Sequence, residues 1–163
     1  MPVDQGGAEQ AGAELTGNQG GAMQADVSSP DGTLVDQMGI KIVELSAERV
    51  VATMPVAGNT RPGGPMHSGA SCVLAETLAW FGSSAHAGPG RSAKGIEISA
   101  THHRAATDGE VTGVATRVHG GRTLASYEVE ITDSRGRRVC TARLTCLLRD
   151  RSVGDEGNGA ARG

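Results

Sequence analysis

The sequence predicts an α+β fold in which an antiparallel sheet of about six strands wraps round one central helix. Three observations predict it. An apolar run from residue 68 to about 85 has helical spacing, with Leu74, Leu78 and Phe81 four and three apart on one face. Two strand-like runs precede it, and four stretches of period-two alternation follow it. A meander of this kind covers the helix with one face and leaves the other free, a surface that commonly supports an oligomer.

In chain order, residues 1–30 are Gly, Ala, Gln, Asp and Glu with hardly a large apolar side chain. Such a segment buries too little surface to offset its ordering entropy, so a disordered tail is expected. The absence of a basic start and an apolar run argues against a signal peptide. A short helix is expected between Ser29 and Gln37, capped by Ser29-Pro30 or Asp31. Ile40, Ile42 and Val43 mark the first strand, and Val50, Val51, Ala52 and Met54 the second, with a turn at Ser46 to Glu48. The Gly- and Pro-rich loop after it excludes regular structure until Ser68, the expected N-cap of the long helix. Gly88-Pro89-Gly90 ends that helix.

Ile96, Ile98 and Ala100 then alternate with Glu97, Ser99 and Thr101, and Val114, Thr116 and Val118 with Ala115, Arg117 and His119. Tyr127, Val129 and Ile131 alternate with Glu128, Glu130 and Thr132, and Cys140, Ala142, Leu144 and Cys146 with Thr141, Arg143 and Thr145. Asp108-Gly109, Gly120-Gly121 and the segment from Asp133 to Arg137 supply the turns. The folded domain is thus expected over residues 31–149, with a flexible tail over 150–163.

Composition narrows the function. Trp80, Phe81 and Tyr127 are the only aromatics, so base-stacking platforms are lacking, and the formal charge of −3 also argues against nucleic acid. Three cysteines without CxxC or Cys/His spacing make neither a disulfide framework nor a metal site. Cys140 and Cys146, six residues apart along one strand, lie roughly 20 Å apart and read as reduced thiols of a cytoplasmic protein. No stretch is long and apolar enough to span a bilayer.

The chemistry concentrates at the long helix. Between Arg61 and Arg91 the only Asp, Glu, Lys or Arg is Glu76, flanked at helical spacing by Cys72, Val73, Ala79 and Trp80. A carboxylate among apolar groups loses hydration, which chains avoid unless the group is paired or used; the plain alternative is a Glu at the helix edge that reaches water. The helix start offers unpaired N–H groups at a positive dipole end, where Ser68 or Gly69 can hold a developing oxyanion. Glu76 can attack a carbonyl or deprotonate a water. His102 and His103, adjacent on a strand, point to opposite faces.

Four strings together resemble the hotdog-fold acyl-CoA thioesterases, in the branch of the phenylacetate-pathway, 4-hydroxybenzoyl-CoA and enterobactin-proofreading enzymes. They are Pro62 with HSGASCVLAETL (67–78), ISATHHR (98–104), VHGGR (118–122) and GRRVCTARLTC (136–146). The resemblance implies a dimer with a continuous sheet, dimers paired into a tetramer, an active site between subunits, and no cofactor beyond the coenzyme A of the substrate. It implies Glu76 as catalytic carboxylate, His67 as loop histidine and the Ser68 backbone as oxyanion donor. His102 is implied near the acyl group, and the turn of His119, Gly121 and Arg122 near the coenzyme A nucleotide. Arg61 stands where relatives carry Gln, Ser68 where they carry Gly, and Trp80 where they place Ser or Thr; Arg61 and Trp80 join the expected substrate-binding set. A dehydratase or hydratase on acyl thioesters and a non-catalytic acyl-CoA binder are the competing readings.

Overall fold

A computed structural model describes residues 32–151; the expected disordered N-terminal tail and nearly all of the expected C-terminal one lie outside that range. The elements are α1 (Leu34–Gln37), β1 (Lys41–Leu45), β2 (Arg49–Pro55), α2 (Ser68–Ala87), β3 (Arg91–His102), β4 (Glu110–Gly120), β5 (Leu124–Asp133) and β6 (Arg138–Asp150). The strands form one antiparallel sheet of six in the order β1-β2-β4-β5-β6-β3, which puts β3 at an edge.

Helix α2 lies on one face of this sheet because the alternation supplies a continuous apolar surface for it. Val50, Ala52 and Met54 of β2 pair with Ala115, Gly113 and Val111 of β4. Tyr127, Val129 and Ile131 of β5 pair with Leu144, Ala142 and Cys140 of β6. These residues share the buried face with Leu74, Ala75, Leu78 and Ala79 of the helix. The approach is close enough to require glycine on both sides. A Cβ at Gly113 would stand 2.5 Å from Leu78 Cδ1, and one at Gly82 would stand 2.6 Å from the Tyr127 ring. That ring cannot retreat, since its hydroxyl donates to the Ala47 carbonyl at 2.5 Å; burial pushes the phenol up to about 12.

The structure departs from expectation at element ends and at two bulges. Thr33 caps α1, accepting from the Asp36 N–H, whereas the expected caps Ser29-Pro30 and Asp31 lie outside the described residues. Helix α2 runs two residues past its expected end, to Ala87, where Gly88 takes φ +78°. Its N-cap is His67, with Ser68 the first helical residue, because the imidazole reaches the Gly69 N–H. Strand β6 continues through Asp150, one residue beyond the expected boundary, and Asp150 pairs with Arg91.

In β3 the register shifts between Gly95 and Glu97. Ile98 and Ala100 face the helix opposite Leu144 and Ala142, while Ile96 drops out of that ladder. In β4 the shift lies between Arg117 and His119. Arg117 therefore shares the inner face with Tyr127, whereas His119 pairs with Ser126 on the other face, against the expected alternation. A bulge adds one residue and so inverts the facing of every later residue in the strand.

Candidate active site

The loop before α2 is fixed from both sides. Asn59, buried, donates from its side-chain amide to the Met38 carbonyl at 2.9 Å and the Pro55 carbonyl at 2.8 Å. Its own carbonyl accepts the His67 N–H at 2.8 Å, and the Met66 N–H donates to Ala106 at 2.8 Å. These bonds deliver His67 in extended backbone at the helix start. Its Nδ1 accepts the Gly69 N–H at 2.9 Å, which in the neutral ring leaves the proton on Nε2. Of the two expected oxyanion donors, Gly69 is thus already engaged, and the Ser68 N–H has no acceptor among the described residues. The first helical turn carries no carboxylate to offset the dipole.

Beside this helix start lies a cleft of about 400 Å³, lined among others by Arg61, Met66, Ser68, Ser71 and His102. His102 reaches it because it pairs with Cys140 on the helix side of β3. His103 turns to the other face and bonds Thr141 Oγ1 at 2.9 Å, the opposition expected of adjacent strand residues.

Glu76 is eight residues further on, about 12 Å along the helix axis at 1.5 Å per residue. It is exposed in the single chain, so the dry apolar setting expected of it is absent there. The cause is placement: Glu76 and Trp80 lie along the helix edge that overlooks β3. A Cβ at Gly95 of β3 would stand 3.4 Å from Glu76 Oε1, an ordinary contact distance, which shows that the carboxylate lies over that strand. Burial pushes the neighbouring Cys146 thiol up, the Ser83 hydroxyl pulls it back, and the Glu76 charge adds to the rise. Cys140, also buried, is pushed up to about 11, so both strand thiols are held protonated. Trp80, 43% exposed, donates its indole N–H to the Ala93 carbonyl at 3.1 Å and meets Phe81 edge-to-face at 5.0 Å.

His119, Gly121 and Arg122 belong to the other end of the helix. There His86, in the last turn, bonds the Gly121 carbonyl at 3.1 Å. The structure thus gathers Arg61, His67, Ser68, Gly69 and His102 at one end of α2 and the turn of His119, Gly121 and Arg122 at the other, with Glu76 and Trp80 between. Sequence reasoning missed Asn59, Gly95 and His86. For Asn59 the signal was its place at the head of NTRPGG; for His86 it was the double glycine of VHGGR, which makes room for a ring.

Comparison with known proteins gives the family. The model of the thioesterase superfamily matches residues 63–140. The chain is 44% identical over 118 residues to the proofreading thioesterase EntH of Cronobacter turicensis, an alignment covering 72% of this chain and 86% of that protein. The chain belongs to the thioesterase superfamily. Among solved structures, this thioesterase superimposes with a TM-score of 0.71 on one from Haemophilus influenzae, 30% identical, covering 74% of this chain and 85% of the other. A mutant thioesterase from Pseudomonas aeruginosa gives the same TM-score at 33% identity, covering 74% of this chain and 88% of the other. The sheet wrapped on one helix is the hotdog fold, and thioester hydrolysis is the activity class of this enzyme. Among the described residues no helix is long and apolar enough to cross a membrane.

Proposed function

We propose that this thioesterase hydrolyses an acyl- or aryl-CoA thioester to the free acid and coenzyme A, at a site shared by two copies of the chain. The observation that carries this is the separation of the two catalytic parts. The open Ser68 N–H and the Glu76 carboxylate sit eight residues apart on one helix, about 12 Å along its axis. A carbonyl must have its oxygen within about 3 Å of the donor while its carbon is within reach of the attacking group. One chain cannot supply both.

The edge strand β3 supports the pairing that would. It is twelve residues long, with Ile96 and Ile98 exposed at 54% and 40%. An unprotected edge with apolar side chains is what a second strand covers. Antiparallel pairing about a two-fold through β3 sets two helices antiparallel, bringing the start of one toward Glu76 and the far-end turn of the other.

In this site the thioester oxygen accepts the Ser68 N–H, aided by the helix dipole, and His67 presents Nε2–H beside it. The carboxylate of Glu76 either adds to the carbonyl carbon and expels the thiolate, leaving an anhydride for water to cleave, or takes a proton from an attacking water. A single turnover in oxygen-18 water distinguishes them, since the anhydride route can leave label in Glu76. Arg61, Trp80 and His102 bound the acyl group, and the turn of His119, Gly121 and Arg122 takes the nucleotide. Pairing of dimers into a tetramer would use the outer sheet face, where Thr116, Glu128, Thr132 and Arg143 border a concavity of about 700 Å³.

Free-thiol release from benzoyl-, hexanoyl- and palmitoyl-CoA tests the reading. The wild type should release thiol from at least one, and Glu76→Gln should release none while keeping its oligomeric state. Turnover by correctly assembled Glu76→Gln overturns it.

A further inference from the structure

The β4–β5 turn is held by its carbonyls. The Gly121 carbonyl meets His86 Nε2 at 3.1 Å, and the Arg122 carbonyl accepts from Arg91 NH2 at 2.7 Å. The Thr123 carbonyl accepts the Leu148 N–H, and the Leu124 carbonyl accepts the Gly121 N–H, both at 2.8 Å. Four consecutive acceptors are thus satisfied from within the chain, while the exposed Arg122 side chain takes no part.

Of these clamps, His86 alone has two ring nitrogens that can exchange donor and acceptor roles. Its Nδ1 lies 2.9 Å from Arg117 NH1. A guanidinium only donates, so Nδ1 accepts and the proton sits on Nε2, directed at Gly121. Arg117 is itself fixed, through NH2 to Glu48 Oε1 at 3.0 Å and through its N–H to the Glu48 carbonyl at 2.9 Å. The glycines of VHGGR fit round these rings. A Cβ at Gly120 would stand 2.9 Å from His86 Cε1, and one at Gly121 2.9 Å from His119 Nε2. Neither glycine has positive φ, so space and not backbone freedom explains both.

We propose that His86, as the neutral Nε2–H tautomer, is a positioning residue that holds the Gly121–Arg122 turn for the nucleotide end of the substrate. This rests on the assignment of that turn to the nucleotide under the proposed function. A second proton, on Nδ1, would face Arg117 donor to donor and cation to cation, so uptake requires His86 and Arg117 to separate and frees the turn. The charged groups packed on this side of His86 are Arg117 and, through it, Glu48.

The test compares a CoA ester that the wild type cleaves with the N-acetylcysteamine thioester of the same acyl group, in wild type, His86→Ala, His86→Gln and Arg122→Ala. His86→Ala should raise KM for the CoA ester about five-fold, the worth of one hydrogen bond, with kcat and the nucleotide-free ester unchanged. Glutamine can also donate to the Gly121 carbonyl, so His86→Gln should keep the low KM. Calorimetric binding of coenzyme A should follow the same order, and it reads the inference in a variant that folds but turns over slowly. If Arg122→Ala raises KM and His86→Ala does not, the inference fails and the reading of the turn stands. If Arg122→Ala leaves KM alone, the reading fails and the inference with it. A His86→Gln variant whose KM rises as far as that of His86→Ala also overturns the inference.

Discussion

Glu76 and Trp80 share one helix edge, and each carries a prediction. Glu76→Asp should lose most of the activity, because shortening the arm by one methylene draws the carboxylate back from the carbonyl; kcat in a thiol-release assay checks it. Trp80 forms a flat wall one turn further on, held by its bond to Ala93. Trp80→Ser should therefore shift kcat/KM from benzoyl- toward palmitoyl-CoA by about ten-fold or more, the scale set by removing an aromatic wall. An unchanged profile across benzoyl, hexanoyl and palmitoyl esters would place the acyl group elsewhere. At this scale the sequence was legible wherever chemistry is rare. Glu76 stood out as the lone Asp, Glu, Lys or Arg between Arg61 and Arg91. The role of Gly69 was not legible, because only three dimensions show that His67 already takes its N–H.

Among the elements, the helix-on-sheet contact sets two opposing effects against each other at Gly82. Alanine there gains about 1 kcal/mol in helix propensity. Its methyl, however, would stand 2.6 Å from a Tyr127 ring tied to Ala47, and overpacking of that kind costs about 1–3 kcal/mol. Gly82→Ala should lower the melting temperature, and the double variant with Tyr127→Phe, whose ring is released, should recover part of the loss. The β5–β6 turn carries a pH effect. Asp133 is held at about 2, first by the Arg137 side chain, then by the backbone N–H groups of Arg137 and Arg135, with burial opposing. A lowered folded-state value stabilises the fold above the unfolded-state value and is lost as the pH falls through the folded one. Stability from Asp133 should therefore fade between pH 3.8 and about 2, and Asp133→Asn should flatten that part of a melting-temperature profile. Strand alternation read correctly because Tyr127, Val129 and Ile131 of β5 and Cys140, Ala142, Leu144 and Cys146 of β6 are inward and apolar. The bulges at Ile96 and Val118 did not, since a bulge is a property of two paired strands and neither shows it alone.

The whole molecule ends in an open edge, and the activity should depend on closing it. Ile98→Lys places a charge on the helix side of β3, where burial against a second copy would leave it unpaired. The variant should sediment as a monomer at concentrations where the wild type is larger, and should lose about 100-fold or more in kcat, the cost of removing an oxyanion donor. A fully active monomer would show that one chain suffices. Fold class, strand number and the central helix were all legible, because hydrophobic periodicity encodes them locally. What a second chain would supply under the proposed function is not encoded in any local period, and so the separation of Ser68 from Glu76 became meaningful only with the helix in hand.

That edge also carries its own signal. Trp80 is the chain's one tryptophan, half in solvent, one helical turn from Glu76 and bonded to the strand that a second copy would cover. Its fluorescence is therefore a built-in optical label for the site. Emission should move to shorter wavelength as protein concentration rises through the association midpoint. It should be quenched or shifted again when an acyl group settles against the indole, with no dye and no second tryptophan to subtract.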